Sequence, residues 1–193
     1  KLKEKILIRS AARARGAVVA SEGAAVTDSL AKARRDLWRA SKKYRRLHGM
    51  VGRTVWAADS RWLAHRSIVG EPAAGLGETM GRKGIVEALT SFTAEASARP
   101  WAWERSGAYV LVGQPNWPSK PERGVSDCST VRCWFDGDTF EALRRCVVLA
   151  AVDQPRSMRL DPWRGAVSWW HPRGYPVAVL LGLRVPVEVK VLP

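Results

Sequence analysis

Cysteine is scarce in this chain, at three residues, and histidine, phenylalanine, tyrosine and methionine also number three each. An odd number of cysteines excludes a fully paired disulfide framework, so Cys128, Cys133 and Cys146 fit a reducing compartment better than secretion. Long apolar runs are missing as well. The most apolar piece, Pro176 to Leu183, is far short of the ~20 residues that a membrane-spanning helix needs, so an integral membrane protein is not expected. Acidic residues are in deficit, with 18 Asp and Glu against 32 Lys and Arg, and the formal net charge is +14. Catalytic signatures are absent too. No G-x-S-x-G, Walker A or dinucleotide fingerprint occurs, and His48, His65 and His171 are scattered.

What is present is a core-forming share of hydrophobic residues, 46% of 193, and a lopsided charge distribution. Residues 1–66 carry 17 Lys and Arg against five Asp and Glu, whereas the remainder carries 15 against 13. Charge needed only for solubility would be spread over the surface. Crowding on one segment points to an arm laid along phosphates, where each cation displaces condensed counterions. The opening, Lys1 to Ala20, is rich in Arg, Ala and aliphatics with one acid, Glu4. That composition is like an organellar transit segment, so a mitochondrial or other organellar matrix is the expected compartment, with the cytoplasm as the alternative.

The arm reads as helical. Leu30, Leu37, Trp38, Ser41, Tyr44 and Leu47 recur at helical spacing, with Asp28 or Ser29 as N-cap and Gly49 as terminator. Arg34, Arg35, Arg39, Lys42, Lys43, Arg45 and Arg46 fill the other faces, seven cations within 13 residues. Like charges at i,i+4 weaken such a helix in water, and a polyanion relieves the repulsion. A second helix is predicted from about Thr54 to His65, with Arg53, Arg61 and Arg66 around it. The plain alternative is a solvated basic face. A membrane surface is a weaker fit, because the apolar stripe is thin.

Residues 70–81 read as a glycine-rich linker. Beyond it, short β-branched or aromatic runs predict strands at Ala108–Val112, Val131–Phe135, Val147–Val152, Ala166–Trp170, Val177–Leu183 and Val185–Leu192. One helix interrupts them, running through Phe140, Leu143 and Cys146 from a cap at Asp138 or Thr139. The expected fold class is α+β: a basic helical extension over 1–69, the linker over 70–81, and over 82–193 a β-rich domain, an antiparallel or mixed sheet or a barrel, with one or two helices.

Gly81-Arg82-Lys83-Gly84 leads into Ala88-Leu89. After it come Ala108-Tyr109-Val110-Leu111-Val112-Gly113, then Val131 to Asp136 running into Phe140 to Arg144, then Asp161-Pro162-Trp163-Arg164-Gly165, and finally Val185 to Val189. In this order the elements over 78–193 resemble the bacterial large-subunit ribosomal protein family that binds 5S rRNA, the twenty-five or general-stress CTC family. The sequence departs from that pattern at Glu87, where the family usually has Arg, and at Ser168-Trp169-Trp170-His171. The resemblance implies a structural constituent of a large ribosomal subunit, with rRNA and neighbouring ribosomal proteins as partners. By chemistry alone, Arg82 and Lys83 between glycines suit a phosphate contact, because glycine lets backbone N–H groups approach an oxyanion; a polar turn that happens to be basic fits them equally well.

Other constellations carry less. Cys128, Cys133, Cys146 and His171 have the ligand types for zinc, but burial as small apolar side chains explains the cysteines more simply. Asp136-Gly137-Asp138 reads as a turn and helix cap. Ten tryptophans are many for this length. Trp101, Trp103 and Trp117, in proline-rich surroundings, are expected to contact a partner. No cofactor and no small-molecule substrate are expected. The rival readings are a supernumerary subunit of an organellar membrane complex and, more remotely, a hydrolase using Cys133 or Asp136.

Overall fold

Asp59 shows why the segment after residue 46 is not helical. Its Oδ1 accepts the backbone N–H groups of Arg61 and Trp62 at 2.6 and 2.9 Å, a local bond that turns the chain sharply. Thr54–Ala58 and Trp62–His65 therefore form a hairpin, β2 and β3, in place of the predicted second helix. Before it, Leu47–Val51 is β1, paired antiparallel with β2 across a two-residue loop at Gly52 and Arg53. Gly52 has φ +59°, which such a tight loop favours.

The computed structural model describes residues 26–96, 101–113, 133–151, 157–161 and 164–183. The first helix, α1, covers 26–40, so Asp28 and Ser29 lie inside it and do not cap it. It ends well short of Gly49. The N–H of Lys42 bonds Arg39 O and that of Tyr44 bonds Ser41 O, both tight i→i+3 turns. Gly49 instead sits in β1, where a Cβ would overlap the carbonyl oxygen of Met80, so it permits close backbone approach. Arg66–Val69 forms a single turn, α2. The expected linker contains a short strand, β4 (Glu78–Thr79), which pairs in parallel with β1.

Arg82–Thr93 is α3, with Gly81 at its N-cap; a turn was expected at its start, and the helix runs on through Gly84. Ala102–Ser106 (β5), Tyr109–Gly113 (β6) and Cys133–Asp136 (β7) form an antiparallel three-stranded sheet. Gly137–Leu149 is α4, and Asp136 is its N-cap, accepting the Thr139 N–H at 2.9 Å. The expected apolar positions Phe140, Leu143 and Cys146 are all buried. Val147 to Leu149, expected in a strand, complete α4, since Val147 continues the buried helical face that these residues set. Then come β8 (Ser157–Asp161), β9 (Ala166–Trp170) and β10 (Pro176–Leu181). The strand expected at Val185–Leu192 lies outside the described residues.

The main sheet has seven strands in the order β4-β1-β2-β3-β10-β9-β8, antiparallel except at β1/β4. The fold is α+β, with a helix preceding the β domain. Strands from both sides of the 70–81 segment share this sheet, β3 pairing directly with β10. Residues 47–65 therefore belong to the body of the sheet.

Alternation along β2 and β3 sends residues to two faces. Ala57, Trp62 and Ala64 join the main core, with Ala33, Leu37 and Trp38 of α1, Phe140, Leu143, Cys146 and Val147 of α4, and Val110, Val112 and Phe135 of the small sheet. Trp56, Ala58 and Leu63 face the other way and pack with Ile85 of α3. Trp38 meets Trp62 edge to face, centroids 5.0 Å apart at 67°, and its indole N–H donates to Val69 O at 2.9 Å. The indole of Trp62 donates to Ser41 Oγ.

Candidate nucleic-acid interface

With Ala33, Leu37 and Ser41 turned inward and fully buried, helical geometry fixes which side of α1 meets solvent. Lys32, Arg35 and Arg39 are exposed at spacings of three and four, and Lys42 and Lys43 are exposed in the turn that follows. Among the described residues, one acid forms an ion pair with these five cations. Asp36 lies 3.4 Å from Arg39 Nη1, whose side chain is 77% exposed. A pair this exposed is worth at most ~1 kcal/mol, so it leaves the positive field of the stripe largely intact.

The other expected contacts are dispersed. Arg34 is half-buried and committed within the fold: its Nε donates to Ile68 O at 2.9 Å and its Nη2 to Ser67 O at 2.5 Å, clamping α1 to α2. Arg45 pairs with Glu78 at the sheet edge. Arg46 is half-buried, and its carbonyl accepts the N–H of Glu78 at 3.1 Å. Arg53 is exposed at the tip of the β1–β2 hairpin. Arg82 and Lys83 occupy the exposed first turn of α3, on the opposite side of the main sheet from α1. Two cations at a helix N-terminus oppose its dipole, and Lys83 lies 3.8 Å from Glu87. The stripe and the Arg82–Lys83 pair are thus separate surfaces.

The aromatic residues divide similarly. Trp101 is half-buried against the main core. Trp103 keeps 37% of its surface exposed, with its ring 5.4 Å from Phe140 and the Arg144 guanidinium 4.8 Å from its centroid. Trp117 lies outside the described residues.

Sequence reasoning missed Lys32, although its spacing to Arg35, Arg39 and Lys42 would have placed it with them. It also treated Arg61 as a surface cation. The Arg61 side chain is only 14% exposed and donates to Ala40 O at 2.9 Å. It approaches Asp59 and Asp136 at 3.6 and 3.5 Å and lies over the Tyr44 ring at 4.0 Å. A basic residue in the Asp59 turn was visible in the sequence; its inward direction depends on the hairpin that the helical reading lacked. Arg105, held by Asp138 and Glu141 at 2.8 and 3.0 Å, is likewise occupied.

Cys133 and Cys146 are buried and free. Burial pushes the Cys133 thiol up to about 11, with the negative charge of Asp161 adding to the shift. Burial pushes Cys146 up to about 12. Neither is a thiolate at neutral pH, the form that attacks substrates or binds metal. Cys128 lies outside the described residues, among which no group of three or more His, Cys, Asp or Glu side chains is placed to hold a metal ion. No described helix is long and apolar enough to cross a membrane.

No family model matches this chain, and neither a curated protein nor a solved structure matches it.

Proposed function

We propose that this protein holds structured RNA within a ribonucleoprotein particle, as a structural constituent that binds and does not turn over a substrate. The observation that carries the reading is the solvent face of α1 and its following turn. There Lys32, Arg35, Arg39, Lys42 and Lys43 are all exposed while Ala33, Leu37 and Trp38 anchor the helix from behind. A rigid cationic ridge of this kind suits the phosphate backbone, because a helix already packed in place has little ordering entropy left to lose on binding.

The resemblance of the motif order over 78–193 supports a large ribosomal subunit as the particle, with rRNA and neighbouring ribosomal proteins as partners, and the composition of Lys1 to Ala20 supports a mitochondrial or other organellar matrix. Trp103, partly exposed beside Arg144, offers the aromatic and cationic chemistry that protein contacts favour.

The test is a salt titration of the full chain with a structured RNA, alongside sedimentation of native extract with and without nuclease. Affinity that falls steeply with salt, and co-sedimentation with particles that nuclease abolishes, support the reading. A chain that forms no salt-dependent RNA complex overturns it. So does one that floats with anionic liposomes while ignoring RNA.

A further inference from the structure

Away from the α1 ridge, a cleft of about 860 Å³ opens between the β1–β2 hairpin, α2 and the turn before β10. That volume lies within the ~300–1,000 Å³ of ordinary small-ligand sites. Three arginines line it, Arg34, Arg53 and Arg66, against one acid, Glu71, which pairs with Arg66. Arg53 is exposed and has no ion pair among the described residues.

Aromatic rings make up another part of the lining. Trp56 meets His65 edge-on with centroids 4.3 Å apart, and His65 lies nearly parallel to Tyr175, at 21° and 6.3 Å. Tyr175 in turn stacks on His171 at 4.6 Å and 6°. The His65–Tyr175 step is thus the wider one, and both of its rings line the cleft. Tyr175 is 42% exposed. Trp56, another lining residue, is 5% exposed, and its indole N–H is buried with no acceptor among the described residues.

Excess positive charge and ring faces within one cleft describe a ligand that is anionic and planar. We infer that this cleft binds a nucleotide, its phosphate at Arg53 and its base against the ring faces at the His65–Tyr175 step. Base stacking on such rings tolerates any sequence, because every base has a π-face. The inference deepens the RNA-binding reading but rests on different residues from the α1 ridge, so either can fail alone.

The same chemistry comes from two sources, an unpaired nucleotide of an RNA strand or a free mononucleotide. The experiment titrates the full chain with 5′-AMP, with a ten-nucleotide oligoadenylate and with inorganic phosphate, reading tryptophan fluorescence and calorimetry. Arg53→Ala and Tyr175→Ala are each expected to weaken binding of the nucleotide probe at least tenfold. Tyr175→Phe is expected to retain it, since stacking needs the ring and not the hydroxyl. Lys42→Glu with Lys43→Glu is expected to leave 5′-AMP affinity unchanged, which separates this site from the ridge. In the chain carrying Lys42→Glu and Lys43→Glu, oligoadenylate bound much more tightly than 5′-AMP identifies a strand as the source; equal affinities identify a free nucleotide. The inference is overturned if neither nucleotide probe binds, if Arg53→Ala and Tyr175→Ala leave affinity unchanged, or if inorganic phosphate binds as well as 5′-AMP.

Discussion

Trp62 Nε1 donates a hydrogen bond to Ser41 Oγ over 2.9 Å, and both residues are buried. The bond fixes the end of α1 onto the middle of the main sheet and so sets the direction in which Lys42 and Lys43 leave the helix. Trp62→Phe keeps most of the ring and leaves the Ser41 hydroxyl without its donor. Urea unfolding is expected to show a loss of ~1–3 kcal/mol. Trp38→Ala, which removes the ring facing Trp62, is expected to lose more, ~3–5 kcal/mol.

Arg61 joins the α1 terminus, the Asp59 turn and the Asp136 cap. Removing it leaves the fully buried Asp59 carboxylate without its countercharge. Arg61→Ala is expected to destabilise the fold by ~3–5 kcal/mol, the cost typical of breaking a buried pair from one side. Arg61→Lys is expected to recover only part of this, because an ammonium cannot reach the Ala40 carbonyl and both carboxylates at once as the planar guanidinium does. Chemical denaturation of both variants, with Asp136→Asn as the second arm of a cycle, provides the check.

Gly49, inside β1, and Gly52, in the loop that follows it, have opposite requirements. Gly49→Ala pushes a methyl into the Met80 carbonyl and the Ile85 side chain, and a loss of ~1–3 kcal/mol or more is expected from overpacking. Gly52→Ala meets open space and strains only the backbone at φ +59°, so its expected cost is about 1 kcal/mol. Thermal melts of the two variants are expected to rank in that order.

Charge reversal reads the ridge directly. If each ridge cation neutralises one phosphate, Lys42→Glu with Lys43→Glu is expected to flatten the plot of log affinity against log salt by about 2. Arg82→Glu, on the far side of the sheet, is expected to leave that slope unchanged. The same titration on both variants separates a local ridge from a diffuse effect of net charge.

The buried thiols set an alkaline limit. Cys133 and Cys146 ionise near 11 and 12 in the folded protein and near 8.5–9 once unfolded. The unfolded chain therefore loses these protons first as pH rises. Stability is full below about pH 8.5 and declines up to the folded values, by ~1.4 kcal/mol per pH unit for each thiol in that window. Cys146→Ala lacks one such proton, so the stability gap between wild type and this variant is expected to narrow from pH 8 to pH 10.5.

Elements governed by local chemistry were legible in the sequence. α4 followed from the Asp136–Asp138 turn and the Phe140, Leu143, Cys146 spacing, and Ala166–Trp170 was read with its observed bounds. The α1 face followed from Leu37, Trp38 and Ser41, because a helix packed on one side must show the other to solvent, whereas Tyr44 and Leu47 of the same expected stripe fall beyond the helix. The 54–65 segment was misread for a physical reason. Val55, Ala58 and Trp62 satisfy a helical period by chance, while the Asp59 side chain closes a turn that periodicity cannot register. The start of α3 was hidden by its glycines, and β4, β5 and β8 by brevity or polarity. The nucleotide cleft was illegible because Arg53, Arg66 and Tyr175 converge only when β3 meets β10.

That meeting also governs the order of events during synthesis. Ala64 pairs with Ala178, so β3 leaves the ribosome with one edge unsatisfied until β10 arrives. At elongation rates of about 5–20 residues per second, the delay is on the order of ten seconds. Contacts this distant along the chain slow folding, and an open strand edge recruits other strands meanwhile. Freshly made protein is thus most vulnerable to aggregation late in translation, and a nascent chain truncated before residue 176 is expected to require a chaperone to stay soluble.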